Sequence, residues 1–135
     1  MGLLKKEPAC AFSGFEGQLL YKGEPAAGAK ITRSYELFKD KGEETIYADD
    51  QGHFRFESII VPFRTPFLAP VSFLSYQKIL IEHKGNTYHI WSASKRSKEE
   101  FSEFGLKPEH VTCELTDEPE GKDLTSGLLV TSCHW

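Results

Sequence analysis

Five histidines and three cysteines are the first residues of this chain to consider as ligands of a metal ion or, for the cysteines, as nucleophiles. No two histidines stand in a His-x-x-x-His or His-x-His pair, so no spacing places two imidazoles together on one element. The thiols of Cys10, Cys113 and Cys133 are far apart, and a soft metal site would need ligands from distant segments. We therefore expect no metal site and no cofactor. The histidines are His53, His83, His89, His110 and His134.

Sequence motifs for covalent or acid–base catalysis are also missing. The chain contains no glycine-rich phosphate loop, no Gly-x-Ser-x-Gly elbow and no Cys-x-x-Cys pair. Glu82 faces His89 in a predicted hairpin, where a cross-strand ion pair is the expected interaction rather than an acid–base pair. Three cysteines without close spacing favour reduced thiols, with a single bridge between two of them as the alternative. We expect that the protein is not an enzyme.

Composition limits the class of protein. The chain has 135 residues, enough for one domain with a core, and its net charge of -4 argues against nucleic-acid binding. No apolar run approaches the roughly 20 residues of a membrane-spanning helix. The first eight residues carry charge without the apolar centre of a secretory signal, so a cytoplasmic location is expected.

Alternation of apolar and polar residues predicts strands through most of the chain. The run from Phe15 to Tyr21 alternates, and so does the run from Ala29 to Leu37, in which Arg33 interrupts the apolar face. Arg33 is expected to lie near an edge with its charged end in water, and a cation that faces a partner is the alternative. Residues 45–56 predict strand, turn and strand, with Asp49, Asp50 and Gly52 in the turn.

A second hairpin and one helix are predicted in the middle of the chain. Residues 77–92 form two alternating runs around Gly85-Asn86, a two-residue loop of the primed-turn kind. Residues 97–105 form the only helical candidate. Ser97 and Glu100 make a capping box there, and Gly105 supplies a stop.

Two segments are candidates for a partner surface. Residues 58–73 are apolar but contain three prolines, so they form either a crossover that covers the core or a loop that presents aromatic rings to a partner. Residues 116–127 are acidic and rich in turn formers, and they either attract a basic partner or form a solvated loop. The candidate contact residues are Phe63, Arg64, Phe67, Phe73, Asp117, Glu118, Glu120 and Asp123.

Residues 17–31 and 45–56 carry two motifs that belong together. The first is a Gly-x-Pro-x-x-Gly-Ala turn that starts at Gly23, and the second is Thr-x-x-x-Asp-x-x-Gly-x-Phe-x-Phe from Thr45 to Phe56. Both resemble the carboxypeptidase regulatory-like domain, which is a transthyretin-like (prealbumin-like) β-sandwich. The resemblance implies seven strands in two sheets, with the phenylalanine pair between them.

The rest of the chain resembles a small bacterial family of stand-alone transthyretin-like proteins, some of which are associated with type VI secretion and its toxin gene clusters. The similarity lies in residues 77–79, Tyr88, Trp91, residues 113–115 and the end Cys133-His134-Trp135. The resemblance implies an immunity protein that caps a toxin, or an adaptor that loads an effector. Hydroxyisourate hydrolase shares the fold, but its C-terminal Tyr-Arg-Gly-Ser motif is absent from this chain.

The expected protein is a single all-β domain over residues 1–135. It is a seven-stranded antiparallel or mixed transthyretin-like β-sandwich with an N-terminal arm at 1–12 and one short helix at 97–105. The expected function is non-catalytic protein–protein interaction. A transthyretin-related hydrolase, or a sandwich that binds carbohydrate or another small ligand on an exposed Trp91 or Trp135, is the alternative.

Overall fold

The computed structural model describes residues 4–66, 73–124 and 127–135. Its regular elements are all strands, and no helix occurs among the described residues. The strands are β1 (Leu4–Phe12), β2 (Phe15–Tyr21), β3 (Glu24–Pro25), β4 (Lys30–Leu37), β5 (Asp40–Tyr47), β6 (His53–Phe56), β7 (Ile59–Pro66), β8 (Ser75–His83), β9 (Asn86–Lys95), β10 (Val111–Glu114), β11 (Glu120–Leu124), β12 (Gly127–Thr131) and β13 (Cys133–His134).

The strands form two main sheets and a smaller one, which confirms an all-β, sandwich-like fold of mixed strand direction. The six-stranded sheet has the order β11-β12-β9-β8-β4-β5. The five-stranded sheet has the order β13-β10-β2-β3, with β6 also paired to β2, and its β10–β2 pair is parallel. The described chain thus has thirteen strands where seven were expected, because several short segments pair locally and β1 joins β7 in a separate two-stranded sheet.

The main core lies between the two large sheets. Ile31, Ile79 and Ile81 of the six-stranded sheet are buried against Leu19 and Phe54 of the five-stranded sheet. Every second residue of β4 points to the inner side of the sheet, as the alternation predicted: Ile31 and Arg33 face this core, and Leu37 faces a smaller cluster. A smaller cluster lies under the two-stranded sheet and contains Ala9, Ala11, Leu37, Val61, Phe63 and Phe73.

Residues 45–56 connect the two large sheets instead of forming a hairpin within one of them. Thr45 belongs to β5 of the six-stranded sheet, whereas β6 pairs with β2 in the five-stranded sheet. Asp49 Oδ1 accepts the backbone N–H groups of Gln51 and His53 at 2.9 Å, which holds the turn. Gly52 has φ of 77°, and a Cβ there would lie 2.4 Å from the carbonyl oxygen of Leu19, so the crossing needs glycine.

The β8–β9 hairpin forms as predicted, but its loop is displaced by one residue. Lys84 and Gly85 occupy the turn with φ of 50° and 78°, and His83 pairs with Asn86. A bulge then shifts the register between Ile79 and Leu80, so Trp91 and not Ile90 pairs with Ile79. Both Ile90 and Trp91 are buried as a result, which simple alternation forbids.

Two predicted irregular segments differ from expectation. Residues 4–12 form β1, paired with β7 along its length, where an N-terminal arm was expected. Residues 97–105 form turns and not the predicted helix. The N–H of Phe101 donates to Ser13 Oγ at 2.7 Å, and the carbonyl groups of Ser97 and Glu99 accept Lys95 Nζ. Because these groups bond to other segments, they do not form the bonds of a helix turn.

Glu114 joins β10 to the turn between β2 and β3. Burial alone would raise its pKa, but its carboxylate accepts N–H groups from Thr116, Gly23 and Lys22, and the net effect lowers the pKa below the ordinary value of 4.5. The ionised carboxylate therefore stabilises the folded state above pH 4.5, and this stability is lost as the pH falls through the lower folded-state pKa.

We expect that the Glu114→Gln variant loses less stability than the wild type when the pH is lowered from 5 to 3. Urea unfolding curves at several pH values in this range measure the difference. The matched control is Glu118→Gln, a substitution on the exposed turn that follows, which should keep the wild-type pH dependence. An equally steep loss in Glu114→Gln and wild type would contradict the role of this carboxylate.

Candidate functional site

The outer face is the side of the six-stranded sheet that points away from the core. No described segment packs across it, and three large apolar side chains on it are well exposed: Tyr47 is 65%, Tyr76 58% and Leu128 50% exposed. Tyr76 and Leu128 lie in two inner strands of the sheet, each one residue from the strand end. These residues lie in one row that crosses all six strands, since each is paired with the next. In order from β11 to β5, the row is Asp123, Leu128, Ser94, Tyr76, Glu36 and Lys41.

An open depression of about 660 Å³ lies in the outer face over strands β5, β4, β8 and β9. Serines supply short side chains inside it, while longer charged and aromatic side chains surround them. The depression therefore combines hydroxyl groups, both signs of charge and one aromatic ring. The outward side chains that line it are Ser34, Glu36, Lys41, Glu43, Tyr76, Lys78 and Ser92.

The edge strands of the six-stranded sheet are β5 and β11. All eight residues of β5 are exposed or half-buried, and the strand pairs with β4 through every one of them. The strand contains neither a proline nor a register shift. Long, regular edges of this kind offer unpaired backbone groups to another strand.

The acidic candidates from the sequence lie at the other edge. Asp117, Glu118, Glu120 and Asp123 are all exposed, the first two in the turn after β10 and the others on β11. Asp123 pairs with Leu128 and so belongs to the outer face. The structure thus brings only one of the four acidic residues to the row that contains Tyr76.

The aromatic candidates do not form an exposed surface. Phe63 and Phe73 are 6% and 7% exposed, and their rings pack 5.2 Å apart in the smaller core cluster, so this part of the crossover covers the core. Arg64 lies in β7, where its backbone pairs with Lys6. Phe67 lies outside the described residues.

Phe38 is the exposed neighbour of that cluster. It occupies the two-residue turn between β4 and β5 with φ of 54°, is 56% exposed, and stacks on Phe63 at 6.0 Å between ring centroids. A bulky residue with positive φ is strained, and such strain persists where the surroundings or function require the side chain. The turn therefore presents an aromatic ring at the beginning of β5.

A buried polar network lies at the opposite, inner side of the sheet. Glu103, 4% exposed, accepts from Ser13 N at 2.8 Å, Ser13 Oγ at 2.6 Å and Gln77 Nε2 at 2.9 Å. Lys95 Nζ lies 3.9 Å from Glu103 Oε1, and burial lowers the pKa of this lysine. Trp91 Nε1 donates to Gln77 Oε1 at 2.9 Å. The network connects β1, β8, β9 and the turns at 97–105.

The buried polar network contains a thiol and a carboxylate, but its geometry indicates a structural role. Cys10 is 2% exposed, and burial raises the pKa of its thiol, which keeps it protonated and a poor nucleophile. Its sulfur lies 3.4 Å from Ser13 Oγ, which also donates to Glu103. A substrate would have to open the core to reach these groups.

Arg33 is a second buried charge, and neither interpretation from the sequence is correct for it. The residue is 1% exposed, with its guanidinium 4.2 Å from the ring centroid of Phe56 and 5.0 Å from that of Phe12. It donates to Glu44 and, at 2.6 Å, to the carbonyl oxygen of Glu57. Arg33 therefore joins β4 to β5 and to the segment after β6.

The histidines and metal ligands give no further site. Among the described residues, no group of three or more His, Cys, Asp or Glu side chains could hold a metal ion. The expected Glu82–His89 pair does not form, because Glu82 pairs with Thr87 and its carboxylate lies 3.2 Å from Lys30 Nζ. His53 lies 3.8 Å from Asp49 and packs against His110 at 6.4 Å between ring centroids.

A smaller depression of about 460 Å³ contains Ser58 beside Glu100. Ser58 Oγ donates to the Glu100 carboxylate and accepts from Gly14 N at 2.8 Å. These contacts give the hydroxyl no imidazole as a base, so the arrangement lacks the base of a serine hydrolase.

The tryptophans do not offer a flat exposed ring for a sugar. Trp91 is 1% exposed. Trp135 is 36% exposed, but Lys122 Nζ lies 4.0 Å from its ring centroid, and the ring packs on Phe104 at 4.9 Å. The condition that would favour carbohydrate binding on a tryptophan is therefore not met.

Cys113 and Cys133 form a disulfide bond, which corrects the expectation of three reduced thiols. Strands β10 and β13 pair antiparallel and place the two residues directly opposite each other. Both cysteines are fully buried, and Cys10 is the free thiol. The bond holds the C-terminal strand on the five-stranded sheet.

Sequence reasoning missed the outer face, although a signal was present. Ile79 and Ile81 of β8 point inward, so Tyr76, Lys78, Leu80 and Glu82 had to share the other face. The missing information was the strand order, which brings Ser34, Ser92 and Leu128 beside these residues from three other strands.

The fold and the outer face together define a β-sandwich domain in which none of the described segments covers one face of the large sheet. A family described as "Domain of unknown function (DUF6795)" matches residues 15–118, and the chain belongs to that family. No curated protein and no solved structure matches the chain. The described residues also contain no helix of the length and apolarity that crossing a membrane requires.

Proposed function

We propose that this protein is a non-catalytic interaction module that binds another protein on its outer face. The supporting observation is the uncovered row in which Tyr76 and Leu128 lie exposed beside a depression of about 660 Å³. Aromatic and aliphatic side chains within a polar surround are typical of interface centres. The net charge of -4 and the exposed acidic side chains at the β11 edge favour a partner with a basic surface.

The transthyretin-like resemblance supplies the kind of partner to test first. It suggests a toxin, for which this chain would be the immunity protein, or a component of a type VI secretion system, for which it would be an adaptor. Both roles need a stable surface and no reaction centre. The polar groups that converge most closely, around Glu103, are buried in the core, where a partner protein cannot contact them.

The location of the protein belongs to the same proposal. The sequence predicts the cytoplasm, whereas a disulfide bond such as Cys113–Cys133 is typical of oxidising compartments. Whether Cys113 and Cys133 are bonded or reduced in cells distinguishes these two locations.

Affinity purification from the native host tests the proposed function. The bait is the full chain, and the two variants are Tyr76→Ala on the outer face and Leu106→Ala, a 63% exposed control outside the sheets. We expect a stoichiometric partner on the wild type and on the control. Loss of an interface centre costs about 2 kcal/mol, so Tyr76→Ala should bind about 30-fold more weakly.

Two results would contradict the proposal. Recovery of no stoichiometric partner with the wild type would contradict the proposed interaction function. A partner that binds Tyr76→Ala and wild type with equal affinity would contradict the assignment of the outer face as the binding surface.

A further inference from the structure

We propose that edge strand β5 binds an extended segment of the partner protein as a seventh strand of the six-stranded sheet. This inference rests on the proposed function and specifies how the partner is held. In strand addition, backbone hydrogen bonds supply affinity, and neighbouring depressions select side chains. The outer-face depression extends to β5 itself, since Lys41, Gly42 and Glu43 line it.

β5 fits this role better than the other described strand edges. It has eight residues in regular pairing, whereas β3 and β13 have two residues each, β6 has four and β11 has five. Strands β1 and β7 of the two-stranded sheet are at least as long as β5, but β1 contains Pro8 and a register shift, and β7 contains Pro62 and Pro66. Natural proteins protect edge strands by keeping them short or by inserting prolines and bulges. β5 has none of these features and is protected only by its charges.

The hairpin geometry identifies the backbone groups that would bind the added strand. Two residues separate Leu37 from Asp40, and such a closing pair exchanges both backbone hydrogen bonds. The same pairing then recurs at every second residue of β5. The backbone N–H and C=O groups that point away from β4 are consequently those of Lys41, Glu43, Thr45 and Tyr47.

A second copy of this chain fits the edge poorly. In an antiparallel pair of β5 strands from two copies, the outward backbone groups of one copy can bond only to the outward groups of the other. Because those groups belong to alternate residues, the pair must be centred on one residue that lies opposite the same residue of the other copy. The two arrangements with the greatest overlap are centred on Glu43 and on Glu44. Each places two glutamates directly opposite each other, and like charges in that position destabilise a sheet.

Charge on the edge specifies the occupant further. Glu44 is held by Arg33, whereas Glu43 is exposed and lies on the outer face beside Ser34. The complementary segment is an extended strand of a different protein with Lys or Arg opposite Glu43. An aromatic or aliphatic residue of that segment can also contact Phe38, which is exposed at the start of the strand.

Two matched proline substitutions test strand addition with the purified partner. Glu43→Pro removes an outward N–H from β5, and proline is tolerated on an edge whose N–H faces solvent. Arg55→Pro is the control on β6 of the five-stranded sheet, where the exposed Arg55 lies away from the outer face and its N–H points away from β2. Binding is measured by calorimetry after circular dichroism has shown that each variant is folded. We expect Glu43→Pro to bind at least about tenfold more weakly and Arg55→Pro to bind like the wild type.

Hydrogen exchange of the complex distinguishes strand addition from a non-specific effect of the proline substitution, because strand addition protects alternate amides of β5. Partner binding should slow exchange at the amides of Lys41, Glu43, Thr45 and Tyr47, and should change the amides of Gly42 and Glu44 little. Charge reversal in Glu43→Lys, which keeps the backbone N–H, should weaken binding most at low salt.

The possible failures are distinguishable. A wild-type chain without any partner overturns the proposed function and strand addition together. A partner that binds Glu43→Pro as well as wild type, with no slowing of the outward amides, overturns strand addition alone. Dimerisation of the free chain that Glu43→Pro abolishes would identify the occupant as a second copy and overturn the assignment to a different protein.

Discussion

Replacing Glu103 with glutamine is expected to lower the free energy of unfolding by about 3–5 kcal/mol, because the change leaves Lys95 charged and buried without its counter-ion. Both side chains are almost fully buried and lie 3.9 Å apart. The carboxylate also accepts hydrogen bonds from Ser13 and Gln77, and a glutamine amide nitrogen cannot accept them. Equilibrium urea unfolding at neutral pH measures the difference.

A double-mutant cycle separates the ion pair from the rest of the buried polar network. Lys95→Met removes the other charge at similar volume, and the double variant should lose clearly less stability than the sum of the two single losses. Glu99→Gln is the control, since Glu99 is exposed in the same turn segment and should change stability by less than about 0.5 kcal/mol. A Glu103→Gln variant as stable as that control would contradict the importance of the ion pair.

The same network explains why the segment 97–105 could not be predicted. Its capping box and its phenylalanine spacing are local signals for a helix, but the competing hydrogen bonds depend on the fold. The N–H of Phe101 donates to Ser13 Oγ, 88 residues away. Lys95 is close in sequence, but only its burial directs its Nζ to the carbonyl groups of Ser97 and Glu99. Local propensity is weak compared with a buried charge that needs several partners.

The inward and outward faces of single strands were predicted better than the pairing of strands within the sheets. In β4, alternation correctly placed Ile31, Arg33 and Leu37 on the core face, because a one-residue slip would expose all of them. Alternation contains no information about which sheet a strand joins, so residues 45–56 were assigned to one hairpin although they connect two sheets. The β9 bulge was equally hidden, because Ile90 and Trp91 are both apolar.

In the candidate site, too, local features could be predicted from the sequence, whereas contacts between distant strands could not. The exposed positions of Asp117 and Glu118 followed from an acidic, turn-rich composition, whereas the burial of Phe63 and Phe73 depends on β1, which was expected to be an arm. The outer-face row needs six strands in register, and no local pattern specifies that order. Strand β5 can be recognised as an edge strand only once the strand order is known, because β4 pairs with one side of β5 and no described strand pairs with the other.

Replacing Cys113 and Cys133 together with alanine is expected to lower the free energy of unfolding by about 3 kcal/mol, since their bond closes a loop with a sequence separation of 20 residues. Without the bond, β13 retains only two residue pairs with β10. Urea unfolding with and without reductant measures the loss. Reductant should bring the wild type to the level of the variant, while Cys10→Ala should keep the full difference between the two conditions.

The redox state of Cys113 and Cys133 in the native host determines whether the disulfide bond stabilises the protein there. Alkylation of the protein during acid lysis of the native host, followed by mass spectrometry, should find Cys10 modified and Cys113 bonded to Cys133. That result would place the folded domain in an oxidising compartment, because reducing systems keep most cytosolic thiols free. Three alkylated cysteines would instead support the cytoplasmic location, and the domain would then depend on β-sheet pairing and the core to hold its C-terminal strand.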